Sequence, residues 1–371
     1  MLSKERLQER FIEMVKIFSP SKNEKEMCEW ICKYLSDRNI EYKIDKAGEN
    51  YGGNGGNIVA YIKGNSNEMP ICFAAHMDQI EPCKDVNPVI NGDIISSDGT
   101  TTLGGDDKGG ITAILEAVED ILETNASHRD IYLLFTVSEE ISMMGAKNMD
   151  LSMLPCKDIV IVDAAGDTGT IAYKAPALEA INCTFYGKKA HAGIEPEKGI
   201  NAIVAASHAI SKMHIGRIDE ETTSNIGQIT GGAATNIVTD EVSFTAEIRS
   251  HSMEKLKNEV EHMQKCCEDA AKLMNATYKF EHELAYTSME LDLNSELYKL
   301  TKDATEKEGV KPNTMVIGGG SDANVMAHHG YRSAIISVGM KDVHTVNESI
   351  DMNEVFKATK IIRRMMSNSQ E

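Results

Sequence analysis

The sequence predicts an α/β protein in which a mixed sheet is covered by helices and a smaller α+β domain is inserted. Continuously apolar runs at 71–75, 131–135 and 159–162, the last preceded by Asp158, are typical of strands buried on both faces, and helix-spaced apolar residues lie between them. From about residue 175, strand segments alternate apolar and polar residues, as half-exposed antiparallel strands do. Residues 1–175 and 287–371 are therefore predicted to form one domain, and residues 176–286 the inserted domain.

The first elements are set by clear start and stop signals. A helical pattern through Phe18 ends at Ser19-Pro20, and Ser21 and Glu24 predict a capping box for a second helix. The glycines of residues 52–56 predict a turn before the strand Asn57–Ile62. Residues 79–101, rich in Asp, Asn and Gly, are interpreted as a loop that leads to a helix over 111–122.

The later elements follow the same reasoning. The inserted domain is predicted to hold strands Leu178–Tyr186, Glu241–Arg249 and Ala276–Leu284, with helices over about 199–213 and 252–273. The α/β pattern then resumes with a helix over about 295–308, strands at 313–317 and 333–338, and a last helix over about 352–366. The glycines of 318–320 could cradle an anion, although a plain tight turn explains them equally well.

Composition excludes several classes of function. The 371 residues are 42% hydrophobic and 26% charged, as in an ordinary globular protein, and the formal net charge of −19 argues against nucleic acid or anionic lipid as main partner. The start of the chain leads into an amphipathic helix without a signal-peptide pattern, and no apolar run reaches the roughly 20 residues of a membrane span. Eight cysteines without a Cys-x-x-Cys pair favour reduced thiols in a cytosolic protein.

Charged residues follow all three buried strands at the point where each ends. His76 follows the first, Glu139-Glu140 the second and Asp163 the third. One acid after a strand is usually a turn former or helix cap, and a lone histidine is usually structural. Three such positions at equivalent strand ends favour a shared site, because ligands and catalytic groups gather at the carboxyl ends of strands in such sheets.

The residue types in this set suit a divalent metal. With Asp78, Asp106 and His344, the set contains two imidazoles and several carboxylates but no cysteine, which suits zinc, cobalt or manganese. Too few Asp and Asn cluster locally for a calcium loop. The acids exceed the needs of one tetrahedral site, which favours two ions that share a bridging carboxylate.

Several short motifs, in this order along nearly the whole chain, resemble those of the dinuclear zinc exopeptidases. They are His76-Met77-Asp78, Gly105-Asp106-Asp107-Lys108-Gly109, Glu139-Glu140, Asp163, Ala190-His191-Ala192-Gly193 and His344. The group includes peptidase T-type tripeptidases, aminoacylases and related dipeptidases, and the peptidase T branch is the nearest. One departure is Ser142, which stands where the family usually has glycine two positions beyond the second glutamate.

The resemblance implies a ligand set for two divalent ions, zinc first, with cobalt or manganese as alternatives. Asp106 would bridge both ions. His76 and Asp163 would complete one site, and Glu140 and His344 would complete the other.

The resemblance also implies roles beyond the ligands. Asp78 would accept the free ring N–H of His76 and fix its tautomer. Glu139 would be the general base that takes a proton from the metal-bridging water and passes it to the leaving amine. The family often has a cis peptide bond between the residues at positions 106 and 107.

The inserted domain resembles the family's lid, which also forms a dimer interface. His191 matches a histidine that enters the partner subunit's site and stabilises the oxyanion, while Asn236 and Arg249 match residues that grip the substrate's terminal carboxylate. From composition alone, His191 would be a loop histidine and Arg249 part of a surface ion pair. The remaining histidines match no ligand position and are assigned to surface or structure: His128, His208, His214, His251, His262, His282, His328 and His329.

The sequence therefore predicts a cytosolic, homodimeric metallo-aminopeptidase that removes the N-terminal residue of short peptides. An N-acyl amino acid amidohydrolase or a dipeptidase of the same fold remains an alternative, since specificity depends on pocket walls. A non-hydrolytic binding protein is disfavoured because Glu139 and all five ligand positions are present. A magnesium phosphotransferase built on the 318–320 turn is disfavoured by two histidine ligands and the lack of a Gly-Lys-Ser/Thr loop.

Overall fold

A computed structural model describes residues 1–367 as two compact units. The first unit comprises Met1–Lys174, Glu290–Ile317 and the described residues from Ser321 onward, and the second comprises Ala175–Met289 with Gly318–Gly320. Within the described residues, no helix is both long and apolar enough to cross a membrane. The eight cysteines are free thiols, and seven of them are buried.

The helices have the following bounds: α1 Lys4–Val15, α2 Lys25–Asp37, α3 Gly105–Thr124, α4 Met144–Lys147, α5 Ala202–Ile210, α6 Met253–Met274, α7 Glu296–Lys307, α8 Asp322–His328 and α9 Met352–Met366. Short 3₁₀ turns lie at Ala47–Tyr51, Leu151–Met153 and Pro196–Lys198.

The strands of the first half are β1 Glu41–Ile44, β2 Ile58–Ile62, β3 Ile71–His76, β4 Val89–Asn91, β5 Ile94–Ser96, β6 Ile131–Thr136, β7 Asp158–Ala164, β8 Thr170–Ala175 and β9 Ala177–Tyr186. Those of the second half are β10 Gly216–Arg217, β11 Thr222–Gly231, β12 Glu241–Ser250, β13 Thr277–Tyr286, β14 Met289–Glu290, β15 Asn313–Val316, β16 Arg332–Ser337, β17 Met340–Lys341 and β18 Ser349–Asp351.

A nine-stranded mixed sheet organises the first unit. Its strands run in the order β1-β2-β6-β3-β7-β16-β8-β14, and β15 pairs with β8. The three predicted buried strands lie side by side at its centre, where β6 and β7 both pair in parallel with β3. Every residue of β3 is buried, as a strand covered on both faces must be. The predicted α/β fold class is therefore confirmed, and the three strands end at the same edge.

Helix α3 packs unusually close to this sheet, and glycine allows it. A Cβ atom on Gly110 would lie 2.3 Å from the main-chain oxygen of Val162 and 2.3 Å from Oδ1 of Asp107. No side chain fits at that distance, so Gly110 is explained by backbone approach, whereas a Cβ atom on Gly109 would lie 2.6 Å from Cδ1 of Ile350.

The segment 79–101 is not only a loop, as predicted, but contains the hairpin β4–β5. Strand β5 pairs with β18 from the other end of the chain, in a four-stranded sheet of order β17-β18-β5-β4. Strands of three residues are too short to show an alternating pattern, and a partner from a distant segment leaves no local signal.

The second unit is a five-stranded antiparallel sheet in the order β10-β11-β12-β9-β13, with α5 and α6 packed on it. Buried and exposed residues alternate along β9 and β12, as the sequence predicted. Inward residues such as Phe185, Phe244 and Ile248 form a core with Leu256 and Met263 of α6. Strand β11 was missed, because its sequence is mostly polar and its second half is exposed.

Candidate metal centre

The parallel strands bring the predicted residues to one edge of the sheet. His76 is the last residue of β3 and pairs with Thr136, the last residue of β6, so Glu139 and Glu140 follow within one short turn. Asp163 is the second-last residue of the parallel strand β7. The turn contains Ser138 with a φ of 53°, which redirects the chain straight after the strand.

Asp106 lies at the centre of this cluster. Its Oδ1 is 2.9 Å from Nε2 of His76, and its Oδ2 is 3.1 Å from Nε2 of His344. It stands at the start of α3 with a non-helical backbone, and its peptide bond to Asp107 is cis, as the resemblance implied. One buried carboxylate therefore faces two imidazoles from opposite ends of the chain with its two oxygens.

The remaining predicted ligands lie beside the same two imidazoles. Oδ1 of Asp163 is 3.7 Å from Nε2 of His76, and Oε1 of Glu140 is 3.2 Å from Nε2 of His344. Possible ligand atoms of His76, Asp106 and Glu140 all lie within 4.8 Å of one another. The five residues thus lie in one cluster, in which Asp106 contacts both imidazoles while Asp163 lies beside His76 and Glu140 beside His344.

Asp107 also lies in the cluster, although the sequence suggested no role for it. It forms a group with His76 and Asp163 whose ligand atoms lie within 4.8 Å of one another. However, its oxygens already accept hydrogen bonds from the main-chain N–H groups of His76, at 3.3 Å, and Gly110, at 3.1 Å. We therefore interpret Asp107 as a residue that holds β3 and α3 together beneath the site.

Asp78 supports the cluster from behind. Nδ1 of His76 is 3.0 Å from the main-chain oxygen of Asp78 and 3.3 Å from its carboxylate, so the main-chain oxygen is the nearer acceptor. The carboxylate itself accepts the N–H groups of Glu139 at 2.9 Å and Glu140 at 3.2 Å. Asp78 therefore positions both glutamates, a role that sequence reasoning did not find.

The predicted capping box at the start of α2 is wrong. Its two residues, Ser21 and Glu24, instead help to hold Asp78 and the turn after β6 in place. Oγ of Ser21 donates to Oδ2 of Asp78 at 2.7 Å, and Glu24 accepts a hydrogen bond from Oγ of Ser138 at 2.6 Å. Glu24 is itself the residue before α2 and makes no side-chain cap. The local spacing fits a cap, but buried polar partners from distant strands compete for the same side chains.

Glu348 fixes the position of Asp106 and was missed by sequence reasoning. It is 1% exposed, and its carboxylate accepts main-chain N–H groups from Leu103 at 2.7 Å, Gly104 at 2.9 Å and Asp106 at 3.0 Å. Nothing in the sequence around it distinguishes it from a surface acid. Lys108 anchors the same segment from the other side, since its buried Nζ donates to the main-chain oxygen of Ile17 and to Gln79.

The electrostatics of the site indicate that positive charge is needed. Burial and the nearby Asp163 raise the pKa of Glu139 well above its ordinary value, and burial with the nearby Asp106 does the same for Asp163. Hydrogen bonds to Asp106 and Glu140 raise the pKa of His344 to about 10. Nearby positive charge would stabilise the ionised form of these carboxyl groups. A pair of divalent cations would supply that charge.

A buried carboxylate oxygen without a hydrogen-bond partner also favours a bound cation. Oδ1 of Asp322 is buried and receives no hydrogen bond from the described residues, whereas Oε1 of Glu140 faces the imidazole of His344 at 3.2 Å. Burial raises the pKa of Asp322 to about 6, and its other oxygen accepts from Oγ1 of Thr136 at 2.6 Å. Buried carboxylate oxygens without partners are costly unless an ion or water binds them, so the donor set fits divalent cations.

Of the three predicted site residues in the second unit, His191 and Asn236 are exposed and Arg249 is partly buried. His191 and Asn236 are exposed on facing segments, where the N–H of Ala192 donates to the main-chain oxygen of Asn236 at 3.0 Å. Arg249 lies on β12 and makes a two-pronged ion pair with Glu247, at 3.0 and 3.2 Å. Its guanidinium is thus arranged to bind a carboxylate, and in this structure that carboxylate is Glu247.

A set of imidazoles and carboxylates, in which His76 and Asp106 are buried and His344 is about half exposed, lies at the carboxyl edge of a parallel sheet core and defines a candidate metalloenzyme. The profile of Peptidase family M20/M25/M40 matches residues 72–368, and the chain belongs to this family. This confirms the family resemblance that the motifs indicated.

Similar proteins place the chain near the peptidase T branch. An uncharacterized protein of Bacillus subtilis strain 168, YqjE, is 40% identical over 98% of each chain. The crystal structure of aminopeptidase PepT from Bacillus cereus ATCC 10987 is 37% identical over 98% of each chain, with a TM-score of 0.93. A tripeptidase structure from Staphylococcus aureus Mu50 is 33% identical and covers 99% of this chain and 98% of that one, with a TM-score of 0.96.

We expect the substitution Glu348→Gln to weaken divalent-cation binding about 10- to 100-fold, the range seen when a residue behind a metal ligand is lost. The amide would direct N–H groups at one of the three main-chain donors, so the Asp106 segment would loosen. Cation affinity, measured by competition with a chelator, checks this. Glu354→Gln is the matched control, because Glu354 accepts one main-chain N–H, that of Thr168, at 2.9 Å. Equal affinities for both variants and the original protein would contradict the role of Glu348.

Proposed function

We propose that this protein is a metal-dependent aminopeptidase that removes the N-terminal residue of short peptides, tripeptides above all. The observation that carries the proposal is the Asp106 carboxylate, whose two oxygens face His76 and His344 with Glu140 and Asp163 beside them. The identity of 37% and 33% to a PepT aminopeptidase and a tripeptidase supports this branch of the family.

In this proposal the chain holds two divalent cations, with zinc as the first candidate and cobalt or manganese as alternatives. Asp106 would contact both, His76 and Asp163 would complete one site, and Glu140 and His344 the other. When bound, such a pair of cations acts as a Lewis acid toward water and the peptide carbonyl.

Glu139 is proposed as the general base. It is 9% exposed, and its main chain is fixed by the hydrogen bond from its N–H to Asp78. A carboxylate held there can accept a proton from the attacking water and deliver it to the leaving amine. Asp78 orients His76 from behind and fixes the turn that carries Glu139.

The substitution Glu139→Gln tests this role, because it keeps the shape of the side chain and removes its basicity. We expect peptidase activity to fall about 100- to 10,000-fold, the usual contribution of a general base. The bound metal, measured by elemental analysis, should stay at the level of the unsubstituted protein. Glu41→Gln, an exposed glutamate of β1, is the control and should be fully active. Undiminished turnover by the Glu139 variant would exclude it as the base.

Substrate selection is proposed to involve Arg249 and Asn236, which would bind the terminal carboxylate of the peptide. To do so, Arg249 would exchange the carboxylate of Glu247 for that of the substrate. An N-acyl amino acid amidohydrolase or a dipeptidase of the same fold is the alternative, because the proposed metal ligands would serve all three reactions.

A panel of one tripeptide, one dipeptide and one N-acetyl amino acid with the same residues separates these functions. We expect the highest kcat/KM for the tripeptide, since the structures that are 37% and 33% identical to this chain are those of a PepT aminopeptidase and a tripeptidase. Arg249→Lys should lower kcat/KM for the tripeptide, because lysine loses the two-pronged contact. If the acetylated amino acid is hydrolysed fastest, the tripeptidase proposal is wrong.

We propose that the protein is a cytoplasmic homodimer that pairs through the second unit. In the dimer, His191 would enter the partner subunit's site and stabilise the oxyanion of the reaction. The exposure of His191 and its ring contact with the N–H of Gly193, at 3.2 Å, leave the rest of the imidazole available. The eight free thiols agree with a reducing compartment.

Mixing two inactive variants tests whether His191 acts across the dimer. We expect His191→Ala and Glu139→Gln homodimers to be nearly inactive alone. After subunit exchange, each mixed dimer would contain one site with both residues intact, so about a quarter of the original activity should return in a symmetric dimer. No recovery, with exchange confirmed by native mass spectrometry, would mean that His191 does not act in a partner's site.

A further inference from the structure

A second group of metal-ligating side chains lies in the second unit. His214 lies between α5 and β10, and Glu259 and His262 lie on α6. Possible ligand atoms of the three residues all lie within 4.8 Å of one another. The group belongs to the second unit alone, whereas the centre described above is built from residues of the first unit.

The carboxylate of Glu259 is the strongest sign that something binds here. The residue is 7% exposed, and Nδ1 of His214 lies 3.1 Å from its Oε2. Its Oε1 is buried and has no hydrogen-bond partner among the described residues. A buried carboxylate with one oxygen unpartnered is costly, and a cation would remove that cost.

The positions of the two histidines are fixed by contacts within the second unit. Their rings stack with centroids 4.0 Å apart and planes 10° apart. Nε2 of His262 lies 3.2 Å from the main-chain oxygen of Lys212; when it donates there, Nδ1 carries the lone pair that a metal requires. The main-chain oxygen of His214 accepts a hydrogen bond from Oγ of Ser224 on β11, which fixes this exposed residue in place.

We propose that His214, Glu259 and His262 form a further divalent-cation site, for which Zn²⁺ is the fitting ion. Glu259 and His262 are three residues apart on one helix, a Glu-x-x-His spacing that places both side chains on one face and recurs in metal sites of helical proteins. Zn–N bonds of about 2.0–2.1 Å place tetrahedral donors about 3.3 Å apart, so binding would require His262 to turn toward the other two donors. The ion would tie the segment 211–215 to α6.

The site does not depend on the proposed function, so the experiment is designed to separate the two. The full chain carrying Asp106→Asn, which disables the first centre, is dialysed against Zn²⁺ and its zinc content is measured. We expect this protein to keep one bound ion per chain. Adding His214→Ala should weaken that binding at least about tenfold, since one of three donors is lost. The side chain of His214 is 56% exposed, so its removal should leave the fold intact, which circular dichroism checks.

Two further variants define the outcome. Glu259→Gln should lose the ion as His214→Ala does, because an amide is a far weaker zinc ligand than a carboxylate. His208→Ala, an exposed histidine of α5 outside the cluster, should keep it. A zinc-dependent rise in the unfolding temperature, present with His208→Ala and absent with His214→Ala, would support the site. If the Asp106→Asn protein binds no zinc, or binds it equally with and without His214, the proposal is overturned and the cluster is a His214–Glu259 ion pair.

Discussion

The shared contact of Asp106 with His76 and His344 is the interaction on which the rest of the first unit depends. A carboxylate that is 9% exposed faces one imidazole with each oxygen, at 2.9 and 3.1 Å. Burial raises the free energy of its charge, but the two imidazoles outweigh burial and hold the pKa of Asp106 well below its ordinary value. Because other acids surround it, added positive charge would stabilise this arrangement.

Much of the surrounding structure keeps that carboxylate in place. Glu348 binds three main-chain N–H groups of the segment that carries Asp106, and Lys108 anchors the other end of that segment with two buried hydrogen bonds. Gly110 lets α3 approach β7 closely enough for Asp107 to reach the N–H of His76. The residues next to Asp106 in the sequence are thus explained by packing and hydrogen bonding, and only Asp106 itself by a predicted role as a metal ligand.

The sequence predicted the fold class and the residues that gather at the sheet edge because both leave local signals. A buried strand is a continuous apolar run, and a charged residue directly after it is visible without knowledge of the fold. Sequence reasoning missed three features because they leave no local signal: the role of Glu348, the Ser21–Asp78 hydrogen bond and the β4–β5 hairpin. Glu348 and Ser21 depend on partners that are distant in the chain, and neither spacing nor composition near them indicates which partner each has. The hairpin strands have three residues each, too few to show an alternating pattern, and the partner of β5 outside the hairpin, β18, is distant in the chain.

The two clusters show that the same kind of donor set can be encoded in two ways. At the sheet edge, parallel strands supply the convergence, so any charged residue at a strand end is brought near the others. On α6, the three-residue spacing of Glu259 and His262 supplies two donors, but a helix cannot supply the third from the same face without a neighbour. His214 comes from a segment 45 residues earlier, and only the packing beside α6 brings it within 3.1 Å of Glu259. A spacing of three on a helix is common in surfaces of every kind, so it becomes informative only when the carboxylate is buried and one of its oxygens has no partner, as at Glu259.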